Sequence, residues 1–179
     1  MRKCFAAFGI ALVSASVGTA AVLGAIRPAG GAISIFAQPG NGVRGPIVIT
    51  GAIGDYGTTI TMNKSGTPDA NGGYVKADLR KGTFEINSTV LNAEAAKAQA
   101  VYDRVTCSFL VSVTAPVALY DGTGLYKGIS GSARITIVFA GIAPLYKTGA
   151  HKGQCDEGSN VPPLGTYSSI SGPGTVKFG

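Results

Sequence analysis

From residue 46 onward, hydrophobic and polar positions alternate with a period of two, broken by clusters of glycine, asparagine, aspartate and proline. That rhythm marks half-buried β-strands joined by turns, because successive side chains of a strand point to opposite faces. Residues 46–54 predict a first strand with Ile47, Ile49 and Ile53 on one face. Asp55-Tyr56-Gly57 predicts a tight turn, in which Asp55 bonds its own backbone, leading into a strand over 58–62. Residues 74–81 set Val75, Ala77 and Leu79 against Tyr74, Lys76, Asp78 and Arg80. Residues 83–91 set Phe84, Ile86 and Val90 against Thr83, Glu85, Asn87 and Thr89. Residues 105–114 carry Val105, Cys107, Phe109, Val111 and Val113 on one face. Pro116 predicts an edge or a bulge before a short continuation over 117–120. Residues 132–142 place Ile135, Ile137 and Phe139 opposite Arg134 and Thr136, and 166–178 close the chain, bent at Gly172-Pro173-Gly174. The alanine-rich stretch 93–101 is the helical candidate, with Asn92 as its cap.

These elements predict an all-β domain: an eight-stranded antiparallel β-barrel with one short helix, the alternative being a two-sheet β-sandwich. Glycine-rich residues 122–131, with Tyr120 and Tyr126 among them, form the turn that feeds the 132–142 strand. The absence of a strand–helix–strand rhythm excludes a parallel α/β fold.

The N-terminus reads differently. Arg2 and Lys3 precede a nearly unbroken apolar run from Cys4 to Ile26, the layout of a secretory signal peptide. The expected division is a signal peptide over 1–32, cleaved after Ala20 or after Ala32, then a linker over 33–45 and the barrel over 46–179. The expected location is therefore extracellular, with an uncleaved membrane anchor as the alternative. The formal charge is +6, and loss of Arg2, Lys3 and Arg27 with the leader leaves +3. The remaining lysines and arginines are scattered, which excludes a nucleic-acid partner on electrostatic grounds.

Candidate chemistry is sparse. Cys107 and Cys155 are the cysteines that remain beyond the leader, and in an exported chain such a pair reads as a disulfide. Two cysteines and the single His151 are too few for a four-ligand zinc site, so no metal and no cofactor is expected. Glu85 is a solvent-facing residue if Phe84, Ile86 and Val90 point inward, and a buried acid or base if they do not. Asp55 is the other weak catalytic candidate, as a polar group at a barrel mouth. Tyr120, Tyr126 and Tyr146 suit either a cavity mouth or packing. Hydrolase elbows, phosphate loops and dinucleotide fingerprints are absent from the sequence.

Gly122-Thr123-Gly124-Leu125-Tyr126-Lys127-Gly128-Ile129-Ser130-Gly131 resembles the Gly-Ser/Thr-Gly-x-Phe/Tyr-x-Gly-x-x-Gly segment shared by allene oxide cyclases and dirigent proteins. Four further blocks extend the likeness over residues 46–178: 48–55, 81–85, 106–109, and 152–155 with the closing 170–176. The wider pattern is similar to the secreted bacterial proteins called allene oxide cyclase barrel-like. The resemblance implies an eight-stranded barrel, often oligomeric, with an apolar cavity. The strand 47–53 carries no glutamate where such a cyclase presents its catalytic one, so the reaction is not implied. Alternation and resemblance together suggest a cavity lined by Ile47, Ile49, Val75, Phe84, Ile86, Phe109, Val111, Ile135, Ile137 and Phe139. The expected partner is a small hydrophobic ligand. The alternatives are an isomerase or cyclase acting by conformational control, and a structural envelope protein assembling through its outer face.

Overall fold

The computed structural model describes residues 29–39, 42–158 and 161–179. The expected signal peptide lies outside the described residues as far as residue 28, as does cleavage after Ala20. Nine strands and one helix follow: β1 Gly31–Ala37, β2 Arg44–Gly51, β3 Asp55–Met62, β4 Tyr74–Leu79, β5 Gly82–Asn87, α1 Thr89–Ala95, β6 Val101–Asp103, β7 Ser108–Tyr120, β8 Ile129–Ile142 and β9 Gly165–Phe178. Every pairing is antiparallel, in the order β5-β4-β3-β2-β1-β9-β8-β7-β6. A further pairing of Glu85–Asn87 with Ala118–Tyr120 joins β5 to β7 and closes eight strands into a barrel. The three-residue β6 only edges β7. Closure leaves the barrel's strands without a free edge along the paired stretches.

Alternation decides what fills the interior. Ile33 and Ile35, Ile47 and Ile49, Ala77 and Leu79, Phe84 and Ile86, then Val113, Ala115, Val117 and Leu119 are all buried at every second position of their strands. Ala133 and Ile135 of β8 and Val176 of β9 complete the core. Burying each large aliphatic side chain contributes about 1.5–3 kcal/mol, so the period of two is enough to select the face.

Four local expectations are corrected. Residues 33–45 are not a linker: 33–37 belong to β1, which pairs with both β2 and β9 and buries Ile33 and Ile35. The turn falls at Ala52-Ile53-Gly54, where Gly54 has φ 54°, and Asp55 already opens β3. The helix starts earlier, at Thr89, because Leu91 is drawn into the core. Asn87, not Asn92, receives the Thr89 amide and hydroxyl at 3.1 and 2.7 Å, which leaves Val90 half exposed on the helix. Finally, Val105 is exposed ahead of β7, whereas β7 runs unbroken through Pro116. Pro116 lies between the stretches that pair with β6 and with β5, where β7 has only β8 beside it. A proline's missing donor is tolerated on such a one-sided stretch.

β7, β8 and β9 are longer than the other strands and run past them. Residues 108–112 of β7 pair with 138–142 of β8 beyond the β5 closure. There the Cys107–Cys155 disulfide ties the loop that follows β8 to the start of β7.

Two stability predictions follow from these connections. A form of the chain beginning at Ile33 lacks the Gly31 and Ala32 rungs to Val176 and Thr175, and the Ala32 carbonyl that accepts from the Ala52 amide at 2.9 Å. At about 1 kcal/mol per lost backbone bond, it should unfold several degrees below a form beginning at Ala21, read by circular dichroism. Replacing both Cys107 and Cys155 by serine opens a 48-residue loop in the unfolded chain and should cost about 4 kcal/mol by loop-closure entropy, read by urea unfolding.

Candidate binding cavity and the buried Asp55–Tyr126 pair

The two ends of the barrel differ. One is sealed by the glycine-rich segment. After β7 the chain makes a single 3-10 turn, Gly124–Tyr126, that sends the Tyr126 side chain into the barrel, where it is fully buried. Its ring meets Phe84 edge-on at 5.7 Å and lies 6.5 Å from Phe178. Its hydroxyl donates to the Asp55 carboxylate at 2.6 Å. Asp55 also accepts from the backbone amides of Tyr56 at 2.9 Å and Lys81 at 3.0 Å. Burial pushes the Asp55 carboxyl up, but those three hydrogen bonds and the nearby Lys81 charge outweigh it and hold it below its ordinary value. Burial, then the Asp55 bond and charge, push the Tyr126 hydroxyl up.

The glycines make this seal sterically feasible. Gly82 and Gly124 sit at φ 149° and 59°, and a Cβ on either would lie 2.2 or 2.5 Å from a carbonyl oxygen of the opposite segment. Leu125 donates its amide to Lys81 O at 3.0 Å, and Thr123 to Thr83 O at 2.8 Å. The segment is thus a structural plug.

The other end is open. A cavity of about 260 Å³ lies inside it, bordered by residues 38–39 and 42–45 and by Leu91 and Asn92 of α1. Its wall includes Ile35, Ile47, Val75, Ile86, Leu91, Val117, Ile135, Ile137 and Ile170. Neutral polar groups interrupt the apolar wall: Gln38, Thr59, Thr61, Ser88 and Asn92. Arg44 borders the cavity, but it occupies the outward parity of β2, alternating with buried Gly45 and Ile47. Asp55 is at the sealed end and does not line the cavity.

Of the ten residues suggested as cavity lining, Ile47, Val75, Ile86, Ile135 and Ile137 line it. Ile49 and Phe84 point inward but lie deeper, in the solid core against the Tyr126 plug. Val111 packs against the core without reaching the cavity. Phe109 and Phe139 keep the inward parity, yet lie where β7 and β8 outrun the barrel. With no opposite wall there, they pack on each other at 5.6 Å, Phe109 also packs on Tyr102, and Phe139 stays 39% exposed. Glu85 stands on the outer wall, opposite Lys76 and Tyr120, so it serves neither cavity nor catalysis inside it. Burial and the Glu85 carboxylate push Tyr120 up to about 12.

His151 lies in the exposed loop with its Nδ1 3.0 Å from Gln154 Oε1. Arg104 makes an exposed ion pair with Glu157 at 3.2 Å, of small energetic weight. Among the described residues, no cluster of His, Cys, Asp or Glu is arranged to hold a metal ion, and no helix is long and apolar enough to cross a membrane.

Sequence reasoning missed Ile35, Thr59, Ser88, Leu91, Val117 and Ile170. The Ile33/Ile35 alternation is visible in the sequence, but it falls in the stretch 33–45 expected to be a linker. Thr59 and Ser88 carry no signal in the hydrophobic pattern.

No protein-family model, curated protein or solved structure matches the chain.

The plug has a pH signature. Asp55 is held below its ordinary 3.8, so its contribution is full above that value and lost as pH falls through the folded value. Tyr126 is held above its ordinary 10.0, so its contribution is full below pH 10 and lost as pH rises further. Tyr126→Phe leaves the buried carboxylate one donor short and should cost about 1–3 kcal/mol at pH 7. The gap to the parent protein should narrow below pH 3.8 and above pH 10, as measured by chemical unfolding across pH.

Proposed function

We propose that this protein is an exported barrel of the allene oxide cyclase-like type that binds a small hydrophobic molecule in the open end of its interior. The observation that carries the proposal is the unfilled 260 Å³ cavity walled by isoleucine, valine and leucine, with its far end plugged by Tyr126. Ligand sites are characteristically concave and mostly apolar, with a few placed polar groups. The leader pattern and the disulfide support export, since such bridges persist in oxidising compartments. The resemblance of the glycine segment supports the family reading.

Binding is favoured over isomerase or cyclase chemistry by the charge distribution. A general acid or base must reach the reacting atoms. Glu85 is outside the barrel, and Asp55 is committed to Tyr126 at the sealed end.

A second reading, structural assembly, is favoured by one observation. The outward positions of β7, β8 and β9 include Leu110, Ile142 and Tyr167, all exposed, and these three strands carry only Arg134 and Lys177 as charged residues. Sedimentation velocity should show a second copy docked on this wall if that reading holds, and the double change Leu110→Lys with Tyr167→Lys should return it to a monomer.

The binding reading is tested with an apolar fluorescent dye. Val75→Phe and Ile137→Phe each add a ring to the cavity wall. Both variants should lose dye binding by at least tenfold while unfolding within a few degrees of the parent. Unchanged dye binding in both would sink the cavity as the site.

A further inference from the structure

We propose that a second copy of this chain joins it edge to edge, through residues 165–169 of β9, in an antiparallel pairing centred on Tyr167. This is independent of cavity binding; it rests on the assembly reading only in taking a second copy as the partner.

β9 is paired on both sides over most of its length. On one side β1 stops at Ala37, opposite Ile170, whereas on the other β8 continues as far as Gly165. Among the described residues, 165–169 therefore have β8 beside them and no backbone hydrogen bond on the opposite edge. Unpaired N–H and C=O groups along a sheet edge are a template for another strand, and proteins blunt such edges with short strands, charge, proline or a covering helix. Other open stretches of this sheet are blunted in that way. β6 is three residues long and ends at Asp103, with Arg104 next to it. Between its pairings with β6 and β5, β7 contains Pro116 and has α1 packed on it. Residues 165–169 are Gly-Thr-Tyr-Ser-Ser, with no charge and no proline.

This edge suits a copy of itself. Thr166-Tyr167-Ser168 reads hydroxyl, tyrosine, hydroxyl in either direction. Two antiparallel copies centred on Tyr167 set the two tyrosines opposite each other and each Thr166 opposite Ser168. Aromatic pairs and hydroxyl pairs directly across strands both stabilise a sheet, and like charges would oppose it. The outer face adds to the match. One rung of the sheet runs Val101, Leu110, Ala140, Tyr167 across β6, β7, β8 and β9. Val101, Leu110 and Tyr167 of that rung are exposed. Pairing at Tyr167 carries the apolar rung from one copy into the next.

Sedimentation velocity should show the parent chain as a dimer. Thr166→Lys with Ser168→Lys sets lysines opposite each other across the two-fold axis and should weaken association about tenfold, with the midpoint of unfolding as a control on folding. Residues directly opposed on antiparallel strands have Cα atoms about 4.5–5.5 Å apart, within disulfide reach. Under mild oxidation the Tyr167→Cys variant should therefore form a covalent dimer on a non-reducing gel. The Leu110→Cys variant, two strands in from the edge, should not. A parent dimer that is crosslinked by Leu110→Cys and not by Tyr167→Cys overturns the edge pairing and leaves assembly through the wall standing. A lysine variant that associates as tightly as the parent also overturns the edge pairing. A parent chain that is monomeric at every concentration overturns both the edge pairing and the assembly reading.

Discussion

The hydrogen bond between the Tyr126 hydroxyl and the Asp55 carboxylate holds the sealed end of this barrel together. It joins two segments 71 residues apart in the chain, one opening β3 and the other following β7. A buried carboxylate is tolerable only when its lone pairs are satisfied, and Asp55 is satisfied by Tyr126 and by two backbone amides at once. The same contact anchors the Tyr126 ring against Phe84, so one polar pair positions the largest side chain in the core. The close passage of Gly82 and Gly124 follows from that requirement, because side chains there would hold the two segments apart.

Sealing one end is what makes the other a cavity. An eight-stranded barrel has an interior that side chains can just fill or that can hold one small ligand. Here both occur along one axis. Tyr126, Phe84, Leu119 and Ile49 fill the sealed end, while smaller and branched side chains at the open end leave room. The ionisable groups are kept out of that room: Glu85 by strand parity, Asp55 by its role in the plug, Arg44 by parity again. Apart from Arg44 at its border, the polar side chains in the cavity wall, Gln38, Thr59, Thr61, Ser88 and Asn92, are neutral.

The outer wall shows a separate division. The strands β4 and β5 display Lys76, Asp78 and Glu85 outward, with Arg80 in the turn between them, whereas β7, β8 and β9 present mainly serine, threonine, proline and aliphatic residues. Arg80 donates to the Tyr56 hydroxyl at 2.7 Å and lies over its ring, which covers part of the charged side. Among the described residues, the neutral side carries no such arginine–tyrosine contact. Both walls obey the same inside–outside alternation, so the difference arises only from what each strand carries on its outward positions.

Composition and period alone determined the fold class, the inward faces of most strands and the disulfide pair. Those features depend on nearest neighbours in sequence, through alternation, or on the counting of cysteines. Ile47, Ile86 and Ile135 were legible as inward for that reason. The tertiary structure alone decided how far along the axis each inward residue lies. Ile49 and Ile47 are two residues apart on one face, yet one packs in the core and the other lines the cavity. Phe139 shares a face with Ile137 but stands beyond the closed wall. Asp55 looked like a turn residue because Gly54 and Gly57 flank it, and only the arrival of Tyr126 from 71 residues away makes it a buried anchor. Strand period encodes the side a residue faces; barrel closure and strand length, which are properties of the whole sheet, set the depth at which it sits.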